Sequence, residues 1–341
     1  MKKVLLGLFL VVSVLSFSTE RTLSYEDTFL DKKTGIVYAI GEKIPYTGVV
    51  KNYKIPEGNN VFEGKISFKN GIIDGVVELY YPNGKLAKIG TFKNGKTNGI
   101  QKDFYENGII KLEISHKNGK KNGMGKKYST KGVLIGEFPY KDDELNGVVK
   151  QYNEVTGKLE IEANYKNGKT EGSLRAYYPN GKLESEEKYK NGLREGLTKS
   201  YYENGQLQDE IPYKNDKKEG VEKFHTENGI LVSEVPFKND NATGLVKLYN
   251  EQTGKLEYET NIVNGVRNGL SKKYYPSGKL LSEVVFKNDK EEGIMKAYYE
   301  NGKLQGEAPY KNGQIDGVVK MYDENGKVIE QATFKNGQQV K

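Results

Sequence analysis

An aromatic or aliphatic residue followed by Lys-Asn-Gly, or a close variant of it, returns every 24 residues along most of this chain, and that period decides the fold class before any other feature. Units begin at Phe68, Phe92, His116, Tyr140, Tyr165, Tyr189, Tyr213, Phe237, Ile262, Phe286, Tyr310 and Phe334, and the spacing stretches to 25 in the units that open at Tyr140 and Phe237. A second glycine recurs inside each unit, from Gly75 to Gly317, and an Asn-Gly or Thr-Gly follows about nine residues later. Each unit therefore contains two turns separated by two runs of about seven residues rich in Val, Ile, Leu and Tyr, the pattern of a hairpin meander. Glycine at this density excludes helix. With 40 glycines, no tryptophan and 35% hydrophobic residues, the chain reads as an all-β repeat array, an elongated, twisted antiparallel sheet of about twelve β-hairpins.

A longer period lies over the short one. Tyr80-Tyr81-Pro82, Tyr177-Tyr178-Pro179 and Tyr274-Tyr275-Pro276 stand 97 residues apart, so four units form a super-repeat, with blocks at 68–164, 165–261 and a shorter 262–341. Residues 19–67 read as an N-terminal segment with a degenerate capping repeat, because Tyr46-Thr47-Gly48-Val49-Val50 and Phe62-Glu63-Gly64 echo the unit around a longer loop. If the sheet stays open, some two dozen strands at about 4.8 Å spacing predict a rod on the order of 100 Å long.

Pro82, Pro179 and Pro276 lack the backbone donor that a two-residue Asn-Gly hairpin needs before its Asn. A type I turn with a glycine bulge suits them better, with Pro at its favoured position and Gly84, Gly181 or Gly278 left-handed. That register places on one face the aliphatic after the repeat glycine (Val76, Ile100, Leu197), the mid-strand tyrosine (Tyr80, Tyr201, Tyr298), the leucine after the turn (Leu86, Leu183, Leu280), the next unit's aromatic and a basic column running from Lys102 to Lys320. A glutamate column from Glu113 to Glu307 then falls on the opposite face. In the two-residue register the two charged columns become direct cross-strand partners instead.

The first 18 residues read as a signal peptide: Lys2 and Lys3, an apolar run from Val4 to Leu15, and small residues at Ser16 and Ser18, with cleavage expected near Ser18. The run is short for a spanning helix. The chain has no cysteine, which excludes a lipoprotein anchor, disulfides, thiolate metal sites and a cysteine nucleophile. Loss of the two leader lysines takes the formal charge from +7 to +5, and the remaining charges alternate in sign, the pattern of a solvated mixed surface and not of a nucleic-acid reader.

The recurring Tyr-Tyr-x-Asn-Gly-Lys-Leu and Lys-Asn-Gly-x-x-x-Gly, as in Tyr177 to Leu183 and Lys190 to Gly196, resembles the bacterial variant of the MORN repeat, and the resemblance covers residues 68–341. It implies an elongated, twisted antiparallel sheet used for association with proteins or membranes; some bacterial members carry antitoxin-like names.

The sites open to chemistry have plain structural readings. His116 and His225 occupy columns that are aromatic elsewhere, more than four units apart, and are expected to pack. Lys-Asn-Gly-Lys lacks the strand, loop and helix of a phosphate cradle. Asn239 to Gly244 resembles a calcium loop only faintly, with Asn250 where the bidentate glutamate belongs. Asp216, Asp240 and Asp289 replace a turn glycine and are expected to tolerate its left-handed backbone. No catalytic, cofactor or metal site is expected.

The candidate interaction surface is a second tyrosine column, Tyr81, Tyr105, Tyr178, Tyr202, Tyr275 and Tyr299, which follows the core tyrosine and is expected on the opposite face, suited to a protein interface. Cross-strand packing beside the turns is the alternative. The expected function is an exported, non-enzymatic scaffold or adaptor, periplasmic, surface-associated or secreted, that binds one or more envelope or surface proteins by avidity along its length and is itself monomeric. Binding of cell-wall glycan or a membrane surface is the alternative, and an antitoxin or immunity role ranks third.

Overall fold

The computed structural model describes residues 20–57 and 60–340, so the leader assigned to residues 1–18 lies outside the described residues. Apart from one 3-10 turn at Tyr25–Asp27, the regular elements among them are strands. The chain divides into two compact units, the first ending at Gly132 and the second beginning at Val133.

The first unit holds the hydrophobic core. Thr22–Ser24 lies parallel to Gly48–Glu57, which pairs antiparallel with Asn60–Lys69, and Ile72–Tyr80, Leu86–Lys93, Gly99–Phe104, Ile110–Lys117 and Lys120–Tyr128 extend the sheet. A separate hairpin, Thr28–Asp31 with Ile36–Ala39, brings Val37 and Ala39 against Val50, Ile66 and Phe68. Tyr46, 1% exposed, closes this core and donates its hydroxyl to the Arg21 and Val49 carbonyls. The parallel strand occupies the outer edge of Gly48–Glu57 at Val49 to Lys51, which removes an open row of backbone donors and acceptors.

The second unit has little that resembles a globular core. Its fully buried apolar side chains are Val149, Ala163, Val246 and Phe286. Its hairpins are joined instead by a repeated pattern of hydrogen bonds, legible in one unit. Leu183–Lys190 turns at Asn191 and Gly192, both left-handed at φ 54° and 86°, as a two-residue hairpin of the twist-matched kind requires. The chain returns through Leu193–Arg194 and Gly196–Tyr201, turns again, and continues as Leu207–Lys214. Asp216, Asp240 and Asp289 occupy the second turn position at φ 65° to 67°, a conformation that Asp accepts better than most residues.

The proline turns are type I turns with a glycine bulge. The Gly181 N–H donates to the Tyr178 carbonyl at 2.8 Å, the Tyr178 N–H donates to Lys182 at 2.9 Å, and Gly181 is left-handed at φ 87°. The face assignment built on that turn does not hold. Tyr177 pairs with Leu183 but Ala176 pairs with Ser185, so one further residue bulges out just past the turn, and it does so in every hairpin of this kind. The added residue slips the register by one and turns the following glutamate onto the lysine face. Arg175 therefore sits directly across from Glu186, Lys199 from Glu210 and Lys272 from Glu283. The next unit's aromatic moves the other way: Tyr213 faces Gly196, next to the Pro212–Leu197 pair, and so lies on the second face.

Candidate interaction faces

The first face of the second unit carries three parallel rows. The central row alternates in charge without interruption, because each glutamate is a cross-strand partner of two bases: Glu162 of Lys150 and Arg175, Glu186 of Arg175 and Lys199, Glu259 of Lys247 and Lys272. Arg175 reaches Glu162 at 3.1 Å and Glu186 at 2.8 Å, and Lys199 reaches Glu210 at 3.1 Å. In six hairpins of this unit the mid-strand tyrosine adds a hydrogen bond to the glutamate before it; Tyr152, Tyr177, Tyr249, Tyr274, Tyr298 and Tyr322 reach their carboxylates at 2.7 to 2.9 Å. Burial, then the hydrogen bond to a carboxylate, push the phenols of Tyr152, Tyr249, Tyr274 and Tyr298 up to about 12. The carboxyl of Glu186 is held below its ordinary value, chiefly by the Lys188 ammonium and also by Arg175.

Beside this ladder runs an aliphatic row that the expected packing does not cover. The residue after the repeat glycine shares the lysine face, as expected, and where it is aliphatic, which it is except at the half-buried Ser173, it stays open to solvent: Leu197 is 37% exposed, Val221 43% and Ile294 55%. Its cross-strand partner is often proline, as in Leu197–Pro212, Val221–Pro236 and Ile294–Pro309. The first unit shows the same feature at Val76 and Ile100.

All six tyrosines of the second column are half-buried beside the turns, and each hydroxyl is committed to the next hairpin. Tyr81, Tyr105, Tyr178, Tyr202, Tyr275 and Tyr299 donate at 2.6 to 2.9 Å to the carbonyls of Phe104, Tyr128, Tyr201, His225, Tyr298 and Tyr322, always 23 residues ahead. The super-repeat now has a physical meaning. Two tyrosine units are followed by two whose residue at this place, as at Asn153, Thr226 and Asn250, bonds its own turn, and Lys158 and Lys255 make the staple across the block boundary to the Pro179 and Pro276 carbonyls at 2.7 Å. The opposite ends of the hairpins are stapled too. The acidic residue before the repeat glycine caps the next Asn-Gly or Asn-Asp turn, as in Glu171 accepting from the Asn191 N–H at 2.7 Å and Glu195 from the Asn215 N–H at 2.9 Å. Sequence reasoning missed these caps, although the recurrence of Asp74, Glu171, Glu195, Glu219 and Glu292 just before glycine is a visible signal.

The remaining candidates fall into the same framework. His116 Nδ1 lies 3.2 Å from the Ile114 carbonyl, and His225 takes a mid-strand tyrosine position across from Leu231. Asp240 accepts a hydrogen bond from the Lys218 N–H, and Asn250 caps its own turn through Gln252 and Thr253. Among the described residues no group of three or more His, Asp or Glu side chains is placed to hold a metal ion.

A family model for the MORN repeat variant matches nine windows, 73–94, 97–118, 145–167, 170–191, 194–215, 218–239, 267–288, 291–312 and 315–336, more than half of the chain. The chain belongs to the MORN repeat variant family. Each MORN window opens just after a two-residue left-handed turn, Asn-Gly, Asn-Asp or Asp-Asp, and closes in the next one, so it frames one complete strand-turn-strand unit. The structure extends the MORN array beyond those windows: Gly244–Tyr249 and Leu256–Val263 form the same hairpin in the gap between 239 and 267. No curated protein matches the chain. The crystal structures of TcdB2-TccC3-Cdc42 and TcdB2-TccC3 each align at 12% identity, over 80% and 82% of this chain but only 15% and 19% of theirs, with TM-scores of 0.17 and 0.14. This chain thus spans less than a fifth of either, and at such TM-scores neither bears on its arrangement.

Proposed function

We propose that the chain is an exported, non-enzymatic scaffold of the cell envelope or surface that binds partner proteins along the first face of its hairpin array. The observation that carries this reading is the aliphatic row of the second unit, from Val148 to Val318, left exposed at about one residue per hairpin. Isolated exposed aliphatics are ordinary, but a row repeated from hairpin to hairpin along one face of a sheet is a surface suited to burial by a partner. The adjoining ladder narrows the partner class. Its lysines and glutamates alternate one for one, so it presents polar groups of both signs and no net positive field for phosphate-rich nucleic acid or an anionic membrane. A protein surface, mixed in charge and apolar at its centre, matches both rows. Export rests on the leader read in residues 1–18.

Photo-crosslinking residues at Leu197, Val221 and Leu245 in native cells test the reading, with Thr198 and Ser200 on the second face as controls. The expected result is one discrete protein captured from the first-face positions only, with capture from Leu197 and Leu245 lost when Val221→Asp is introduced. Capture of glycan alone, or equal capture from both faces, refutes it.

A further inference from the structure

The second face of the second unit contains a cavity of about 580 Å³ lined in part by Tyr258, Arg267, Ser271, Lys273, Ser282 and Met295, a size suited to a small organic ligand. The side chains converge because the sheet register aligns them. Tyr258, Lys273, Ser282 and Ala297 are successive cross-strand partners along one row, and Thr260, Ser271 and Val284 along the next. Small residues in both rows leave the space open.

One super-repeat earlier, the same places are filled differently. Ile161 pairs with Ala176 where Tyr258 pairs with Lys273, and Ala163 with Leu174 where Thr260 pairs with Ser271. At these four positions the same backbone carries apolar side chains in one block and polar ones in the other, while Ser185 keeps the place of Ser282 and Glu187 takes that of Val284, so the fold itself does not require Tyr258, Thr260, Ser271 and Lys273. Thr260 and Ser271 are 3% and 2% exposed and share a short hydrogen bond between their hydroxyls. Arg267 stacks 3.9 Å over Phe286 and is fixed by Asp289 at 3.0 Å. Burial acts to raise the Tyr258 phenol, yet hydrogen bonds with Ser271, Thr260 and Arg267 carry it below its ordinary value, whereas the other perturbed tyrosines among the described residues shift upward. The cluster already favours negative charge. The Lys273 ammonium and the Ser282 hydroxyl, direct neighbours across the strands, have no side-chain partner among the described residues.

We propose that this cavity binds a small monocarboxylate with an apolar body, its carboxylate on Lys273 and Ser282 beside the hydroxyl cluster and its body on Met295, Val284 and Phe286. Glu291 on the lining adds a negative charge that disfavours a dianion. The site is independent of the first-face docking proposed above.

Isothermal titration of the full chain with 3-phenylpropionate, and with 3-phenylpropanol as the uncharged probe, tests the assignment. Saturable one-to-one binding of the acid is expected, weakened about tenfold for the alcohol and for Lys273→Met by loss of one charge-assisted hydrogen bond. Met295→Trp fills the space beside the body and is expected to abolish binding. The combined variant Tyr258→Ile, Thr260→Ala, Ser271→Leu and Lys273→Ala places at these four positions the side chains that the same strands carry one block earlier, and should keep its circular dichroism while losing the ligand. No saturable heat with the acid, equal affinity for acid and alcohol, or retained binding in the combined variant overturns the proposal.

Discussion

Removing one hydroxyl tests whether the second tyrosine column acts as a staple between hairpins. In Tyr178→Phe the ring and its packing remain, and only the 2.6 Å hydrogen bond to the Tyr201 carbonyl is lost. A hydrogen bond of this kind contributes about 0.5–1.5 kcal/mol net, so a loss near 1 kcal/mol is expected. In a repeat array such a loss acts on one interface between neighbours and not on the whole chain. The sensitive assay is therefore hydrogen exchange followed by mass spectrometry on peptides covering Gly196–Tyr201 and Leu207–Lys214, where a loss of about 1 kcal/mol raises the local opening constant roughly fivefold. Tyr202→Phe should produce a similar rise one hairpin further on, at the strand ending in His225, whose carbonyl it binds at 2.8 Å. Because the two staples join different interfaces, their effects should add to within about 0.5 kcal/mol in the double variant. Exchange within twofold of the parent in both single variants, with a large change only for Tyr178→Ala, refutes the argument and assigns the column's contribution to the ring alone.

Three further outcomes follow from the same geometry. Gly48→Ala should destabilise the first unit by at least about 2 kcal/mol in urea denaturation, because φ is +144° there and the added carbon meets the Arg21 carbonyl oxygen at 2.3 Å; an unchanged midpoint contradicts it. The phenols of Tyr152, Tyr249, Tyr274 and Tyr298 are raised to about 12 in the folded chain, against about 10 unfolded, so their contribution is present below pH 10 and lost as pH rises toward 12. The urea midpoint should fall between pH 9 and 11.5, and tyrosinate absorbance should show a late-titrating group; a single titration near 10 argues against the glutamate bonds. Glu186→Lys places like charges opposite Arg175 and Lys199 and should cost about 1–2 kcal/mol, with the loss reduced in 1 M salt, whereas Glu186→Gln should cost less.

What the sequence determined by itself is the period and everything that depends on it. A 24-residue repeat with two glycine turns permits a hairpin array and little else, and Pro179 ahead of Asn180-Gly181 was enough to identify the turn, because proline's missing donor and glycine's left-handed backbone are local properties. The second tyrosine column was likewise visible as a recurring position. The partner of each of its hydroxyls was not, since a carbonyl 23 residues ahead becomes a neighbour only when hairpins stack. Tertiary structure alone decided the faces. One extra residue past each turn, at Glu184 between Leu183 and Ser185, reverses the side on which Glu186 emerges, and nothing in the local sequence distinguishes the bulged from the unbulged strand. Its consequence, a row of alternating charges in direct contact, favours the observed register over a one-residue slip, which would again separate lysines from glutamates. The cavity beside Lys273 was hidden for the same reason: Tyr258, Ser271 and Ser282 are spread along three strands, and only their cross-strand pairing brings them to one place.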